Sequence, residues 1–119
     1  MLTRRNIIGG TAGLAALGSA ASARAWEPSR PIQLIVGFAP GGGADLAARA
    51  IAEASSRFFP TPIVVMNRPG AGGTLGIELG TKSPADGYTL MLAAASYAVN
   101  PSIYTLSFDP VNDITAVIQ

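Results

Sequence analysis

The sequence predicts an α/β fold: a parallel sheet assembled from successive βαβ units. Three observations carry this. Short apolar, β-branched runs alternate with segments of helical periodicity, and proline or glycine clusters mark each change. Two proline-led glycine loops, Pro40-Gly41-Gly42-Gly43 and Pro69-Gly70-Ala71-Gly72-Gly73, each sit between such a run and such a helix. Ligands of open α/β sheets bind at the carboxyl edge, where these loops would lie side by side.

Taken in order, Trp26 to Arg30 is a polar lead-in that ends at Pro31. Ile32 to Phe38 predicts a first strand apolar on both faces, as a parallel sheet requires. Ala44 to Phe59 predicts a helix with Ala47, Ala50, Ile51, Ala54 and Phe58 on one face and Arg49, Glu53 and Arg57 on another. Pro60 and Pro62 end it. Ile63 to Met66 is the second strand and Thr74 to Lys82 a second helix, interrupted by Gly76 and Gly80. Ser83 to Gly87 reads as a turn, Tyr88 to Ala93 as a third strand, and Ala98 to Tyr104 as a short helix broken at Asn100-Pro101. After a turn at Phe108-Asp109-Pro110, Asp113 to Gln119 begins a fourth strand. The order β-α-β-α-β-α-β implies right-handed crossovers.

The first 25 residues read as an export signal and not as fold. Arg4 and Arg5 precede a small, apolar stretch from Ile7 to Ala21, and Ala23-Arg24-Ala25 supplies small residues at a cleavage site before Trp26. That stretch falls short of the ~20 apolar residues that span a bilayer. Thr3-Arg4-Arg5-Asn6-Ile7-Ile8 fits the twin-arginine pattern as well as a general secretory one, and both routes stay open. Either delivers residues 26–119 outside the bacterial cytoplasm.

Charge follows from this division. The whole chain carries eight Lys/Arg and seven Asp/Glu. Without Arg4, Arg5 and Arg24 the remainder has five basic and seven acidic residues, a net charge of −2. No basic patch for nucleic acid is present. With no cysteine, the fold relies on its core and not on disulfides. With no histidine, the commonest general base and metal ligand is missing.

The glycine loops suit an anion, because glycine admits close backbone approach and helix N-termini favour negative charge. They do not suit a dinucleotide. Leu46 and Leu75 occupy the third-glycine positions of the fingerprint, and Asn67 stands where an acidic residue is expected. Gly80-Thr81-Lys82-Ser83 is not a P-loop. Ser-His-Asp and Cys-His catalysis lack their residues. Glu53, Glu78 and Asp113 read as solvated surface, and Asp86 and Asp109 as turn residues. Asp45, just inside the first helix, suits either capping and dipole complementation or the orienting of a ligand amine or water. Arg68 offers an anion clamp or a surface charge.

Several motifs in fixed order carry a resemblance. They are Phe38-Ala39-Pro40-Gly41-Gly42-Gly43-Ala44-Asp45, Asn67-Arg68-Pro69-Gly70-Ala71-Gly72-Gly73, Pro84-Ala85-Asp86-Gly87-Tyr88-Thr89-Leu90, Asn100-Pro101-Ser102-Ile103-Tyr104 and Phe108-Asp109-Pro110. Together they resemble the substrate-binding proteins of tripartite tricarboxylate transporters, the Bug family, across the whole of residues 26–119. The resemblance implies a two-lobed, Venus-flytrap periplasmic receptor for organic carboxylates that feeds a membrane transporter, without a cofactor, metal or enzymatic activity. This chain would supply the start of the first lobe. The residues implied at the ligand are Ala39, Gly41, Gly42, Gly43 and Asp45 of the first loop. Gly70, Ala71, Gly72 and Gly73 of the second loop join them, with Ser96 after the third strand. The expectation is a truncated receptor that by itself binds carboxylates weakly or not at all. An exported enzyme with its catalytic residues in missing sequence, and a nonfunctional remnant, are the alternatives.

Overall fold

The structure, a computed structural model, describes residues 26–118. The export signal expected in residues 1–25, and Gln119, lie outside the described residues. Three parallel strands form one sheet: β1 (Ile32–Val36), β2 (Ile63–Asn67) and β3 (Thr89–Leu92), in the order β2-β1-β3. Helix α1 (Gly43–Ser55) joins β1 to β2, and α2 (Thr74–Thr81) joins β2 to β3. The short helix α3 (Ser96–Val99) follows, and a single 3-10 turn, Asn100–Ser102, continues it. Register pairs Leu34 with Val65 on one side and with Leu90 on the other.

The central strand is buried on both faces because a helix covers each. Leu34 and Val36 pack with Ala48 of α1, joined by Ile63, Val65, Leu90 and Leu92 from the same face. Side chains alternate across a strand, so Ile35, Gly37 and Met91 face the other way. There α2 arrives: a Cβ on Gly76 would lie 2.8 Å from the Gly37 Cα, and one on Gly80 would overlap the Met91 side chain. Gly76 and Gly80 therefore do not interrupt α2; they let it sit close to the sheet. Two crossovers of one hand require helices on opposite faces when the chain reverses direction across the sheet.

Two expectations are corrected. The apolar stripe assigned to the buried face of α1 is not the buried one. Ala47, Ala50, Ile51, Ala54 and Phe58 are exposed, while Asp45 and Ala48 are buried, with Ala44, Ala52 and Ser55 half-buried. An alanine-rich helix carries two apolar stripes. The methyl groups of Ala44, Ala48 and Ala52 allow the closer approach to the sheet, so that line packs. The fourth strand expected from Asp113 does not form among the described residues: 114–118 join no ladder, and Val117 and Ile118 are exposed. A β-branched run becomes a strand only where a neighbour takes its N–H and C=O groups. The preceding segment is instead closed into a turn. Asp109 accepts from the Val111 and Asn112 N–H groups, and the Tyr97 hydroxyl donates to the Pro110 carbonyl.

At the amino end of the sheet the lead-in is tied to β3. Trp26 meets the Tyr88 ring edge-on at 5.5 Å, and the Arg30 guanidinium lies 4.1 Å above that ring while pairing with Asp86 at 2.8 Å.

Candidate functional site

Both glycine loops lie at the carboxyl edge of the sheet, as predicted, and they touch. A Cβ on Gly73 would meet the Phe38 ring at 3.2 Å. Loop 1 runs from Gly37 to Gly42 and delivers the chain into α1. Loop 2 runs from Arg68 to Gly73, where the chain forms a tight 3-10 turn, Ala71–Gly73, before α2.

That turn is left-handed. Ala71, Gly72 and Gly73 have φ of 46°, 63° and 96°. Only glycine enters this region without strain, so Ala71 is held there against a cost of roughly 1–2 kcal/mol. The contacts that hold it come from beyond β3. The Ser96 hydroxyl donates to the Gly72 carbonyl at 2.7 Å, and the buried Asn100 carboxamide donates to the same oxygen at 3.2 Å and to Thr74 Oγ1 at 2.7 Å.

Tracing the peptide planes shows which donors remain. The Gly73 N–H bonds the Gly70 carbonyl at 2.9 Å, and the Thr74 N–H bonds the Ala71 carbonyl. In a trans peptide the N–H points opposite to the C=O. The Ala71 and Gly72 N–H groups are therefore turned outward. In loop 1 the Gly42 carbonyl accepts from the Leu46 N–H at 3.0 Å, which turns the Gly43 N–H out of the α1 N-terminus. Among the described residues, no acceptor meets the N–H groups of Gly42, Gly43, Ala71 or Gly72. Two pairs of donors thus border one edge, with a helix N-terminus beside each pair. Such an arrangement is electrostatically suited to an anion.

Other candidate residues serve the frame. Asp45 is 2 % exposed. Its Oδ2 accepts from the Gly41 N–H at 2.8 Å and from Arg49 Nε at 3.0 Å, and its Oδ1 accepts from Asn67 Nδ2 at 2.9 Å. These donors, Arg49 foremost, hold its carboxyl far below the usual aspartate range despite its burial. The same bond engages the Gly41 N–H. Ala39 is exposed at the loop crest, and Gly70 turns the chain with φ 146°. Arg68 is exposed and forms no ion pair among the described residues. A shallow groove of about 440 Å³, lined by Ala50, Glu53, Ala54, Arg57 and Phe58, lies on the outer side of α1 and away from both loops. Ala39 to Gly43 of the first loop and Ala71 and Gly72 of the second are exposed.

Sequence reasoning missed Arg49, Asn67 and Asn100 as parts of this frame. The Asp45–Arg49 pair at i, i+4 was a signal open to reading. The sequence offers Asn67 only as the first residue of the second loop motif and as a non-acidic residue where the dinucleotide fingerprint needs an acid.

Comparison with known proteins agrees with this fold. Residues 47–119 match the family model described as "Tripartite tricarboxylate transporter family receptor". Protein BugT of Bordetella pertussis is 49 % identical over 86 residues, which cover 72 % of this chain and 25 % of that protein. Among solved structures, the periplasmic binding protein BugD superposes with a TM-score of 0.70 at 36 % identity, over 72 % of this chain and 29 % of its own. MatC from Rhodopseudomonas palustris, solved with bound malate, gives 0.63 at 32 % identity, over 72 % and 30 %. The chain spans between a quarter and a third of the length of these three proteins. With the family model matching more than half of its residues, this chain belongs to the tripartite tricarboxylate transporter receptor family.

Proposed function

We propose that this chain forms one side of a carboxylate site in a periplasmic solute receptor that serves a tripartite tricarboxylate-type transporter. The observation that carries the reading is the set of four N–H groups without an acceptor among the described residues, Gly42 and Gly43 beside Ala71 and Gly72, on two touching loops, with those of Gly43, Ala71 and Gly72 turned outward. A ligand carboxylate has four lone-pair sites and is matched by such donors without a cationic side chain. Gly41, Gly73, Asp45 and Ser96 hold these donors in place, and Ala39 and Gly70 shape the loops. The malate bound by MatC supports an organic acid as the ligand class.

The rest of the reading follows from the family. A second lobe closes over the carboxylate and excludes water, and closure contributes much of the affinity. Residues 1–25 direct export and are removed before Trp26. The function is binding and delivery, with no reaction catalysed.

Gly42 provides the clean test. A Cβ there meets only the Ala39 carbonyl oxygen, at an ordinary 3.6 Å, so Gly42→Val keeps the fold and covers the donors. Titration of the chain with malate, followed by amide resonances, is expected to shift Gly42, Gly43, Ala71 and Gly72 together at millimolar ligand. In Gly42→Val those shifts disappear. Equal affinity in both proteins would sink the cradle.

A further inference from the structure

Asn67 ends β2 at the one point where the two loops and α1 converge. Its Nδ2 donates to the Phe38 carbonyl at 3.1 Å and to Asp45 Oδ1 at 2.9 Å, and its Oδ1 lies 3.4 Å from Arg49 Nη2. Both partners of the nitrogen are acceptors and the partner of the oxygen is a donor, which fixes the orientation of the amide. Phe38 lies near the start of loop 1, Asp45 holds the Gly41 N–H near its end, and Asn67 itself leads into loop 2. A single half-buried carboxamide therefore fastens loop 1 at two points to the strand from which loop 2 departs.

We propose that Asn67 is the positioning residue of the site, setting the placement of the loop 1 N–H groups relative to those of loop 2. The proposal rests on the carboxylate-site reading above. It explains why an amide stands at the end of β2. A carboxylate there would face the Asp45 carboxylate and the Phe38 carbonyl with no proton between them, and like charges at that distance repel. Alanine would leave Asp45 Oδ1 and the Phe38 carbonyl without this donor in a poorly solvated place. In either case the loops keep their sequence and lose their mutual placement. Asn67 touches no outward N–H group itself and acts only through Phe38 and Asp45.

The test uses N67A and N67D in the full chain. Trp26 emission, arising at the far end of the sheet, reports that each variant is folded. In ligand-free N67A, exchange of the Gly41 amide hydrogen with solvent is expected to accelerate at least tenfold. The malate dissociation constant, read from the Gly42, Gly43, Ala71 and Gly72 resonances, is expected to rise at least tenfold. Unchanged Gly41 exchange in folded N67A overturns the proposal, and so does malate affinity within twofold of the parent.

Should N67A not fold, N67D decides. Its added carboxyl faces Asp45 and Arg49, the charged groups around that point. Malate affinity relative to the parent at the same pH, a ratio in which the titration of malate itself cancels, is expected to be lost at pH 7 and to recover at pH 5, as one proton comes to be shared by the two carboxyls. No recovery overturns the proposal. A parent chain whose four resonances ignore malate defeats the carboxylate reading instead, and Gly41 exchange then judges the positioning role alone.

Discussion

Gly37 and Gly73 meet backbone to backbone: a Cβ on Gly37 would lie 2.6 Å from the Gly73 carbonyl oxygen. The end of the central strand and the second loop therefore share space that admits no side chain. Gly76 closes the third side, with a Cβ position 2.8 Å from the Gly37 Cα. Backbone cannot swing aside as a flexible side chain does. Gly37→Ala and Gly76→Ala are each expected to destabilise the chain by about 2 kcal/mol or more, the upper part of the range for overpacking. Urea denaturation measures this as a lowered midpoint, and unchanged midpoints would contradict the close approach.

Ala71→Gly is expected to act in the opposite direction. Glycine adopts φ near +46° without the Cβ penalty, although it adds freedom to the unfolded chain. The net gain is about 1 kcal/mol at most, from relief of 1–2 kcal/mol of left-handed strain. Denaturant midpoints of the two proteins check the sign.

Asn100→Ala is expected to cost about 2 kcal/mol, since a buried side chain that donates to the Gly72 carbonyl and to Thr74 Oγ1 is lost. Ser96→Ala removes one half-exposed bond to the same Gly72 oxygen, so its cost is smaller, about 0.5–1 kcal/mol. If Ser96→Ala proves the more damaging, the left-handed turn is not held in the way described.

Acid sensitivity follows from Asp45. Its folded-state pKa lies below its unfolded value, so its contribution is complete above the ordinary aspartate range, near 4. It fades as pH falls below that range toward the folded-state pKa, because the unfolded chain takes up the proton first. Glu78, paired with Lys82, and Asp109, held by Asn112 and backbone N–H groups, shift in the same direction and add to the loss. Asp45→Asn is expected to be less stable than the parent at pH 7 and to vary less between pH 5 and pH 3. Parallel pH profiles for the two proteins would count against the Asp45 network.

The sheet was legible because its signals are local. Ile32 to Val36 is apolar except at Gln33, Pro60 and Pro62 forbid helix, and each glycine loop stands between two opposite periodicities. What escaped depended on contacts distant in sequence. Which alanine stripe of α1 packs is decided by the sheet beneath it. The left-handed turn at Ala71 is maintained from Ser96 and Asn100, more than 20 residues away. Asn67 reveals its role only once Phe38 and Asp45 are beside it, 29 and 22 residues earlier in the chain. Val117 and Ile118 show the converse, a strand-like sequence that forms no strand without a neighbouring edge.

The clamp of Trp26, Arg30, Tyr88 and Asp86 fixes the start of the described chain at the pole opposite the glycine loops. Parallel strands of about five residues separate the two poles by ~16 Å. A tag or a linker to a sensor surface fastened directly ahead of Trp26 hangs from the closed end and leaves the open mouth facing away from its support.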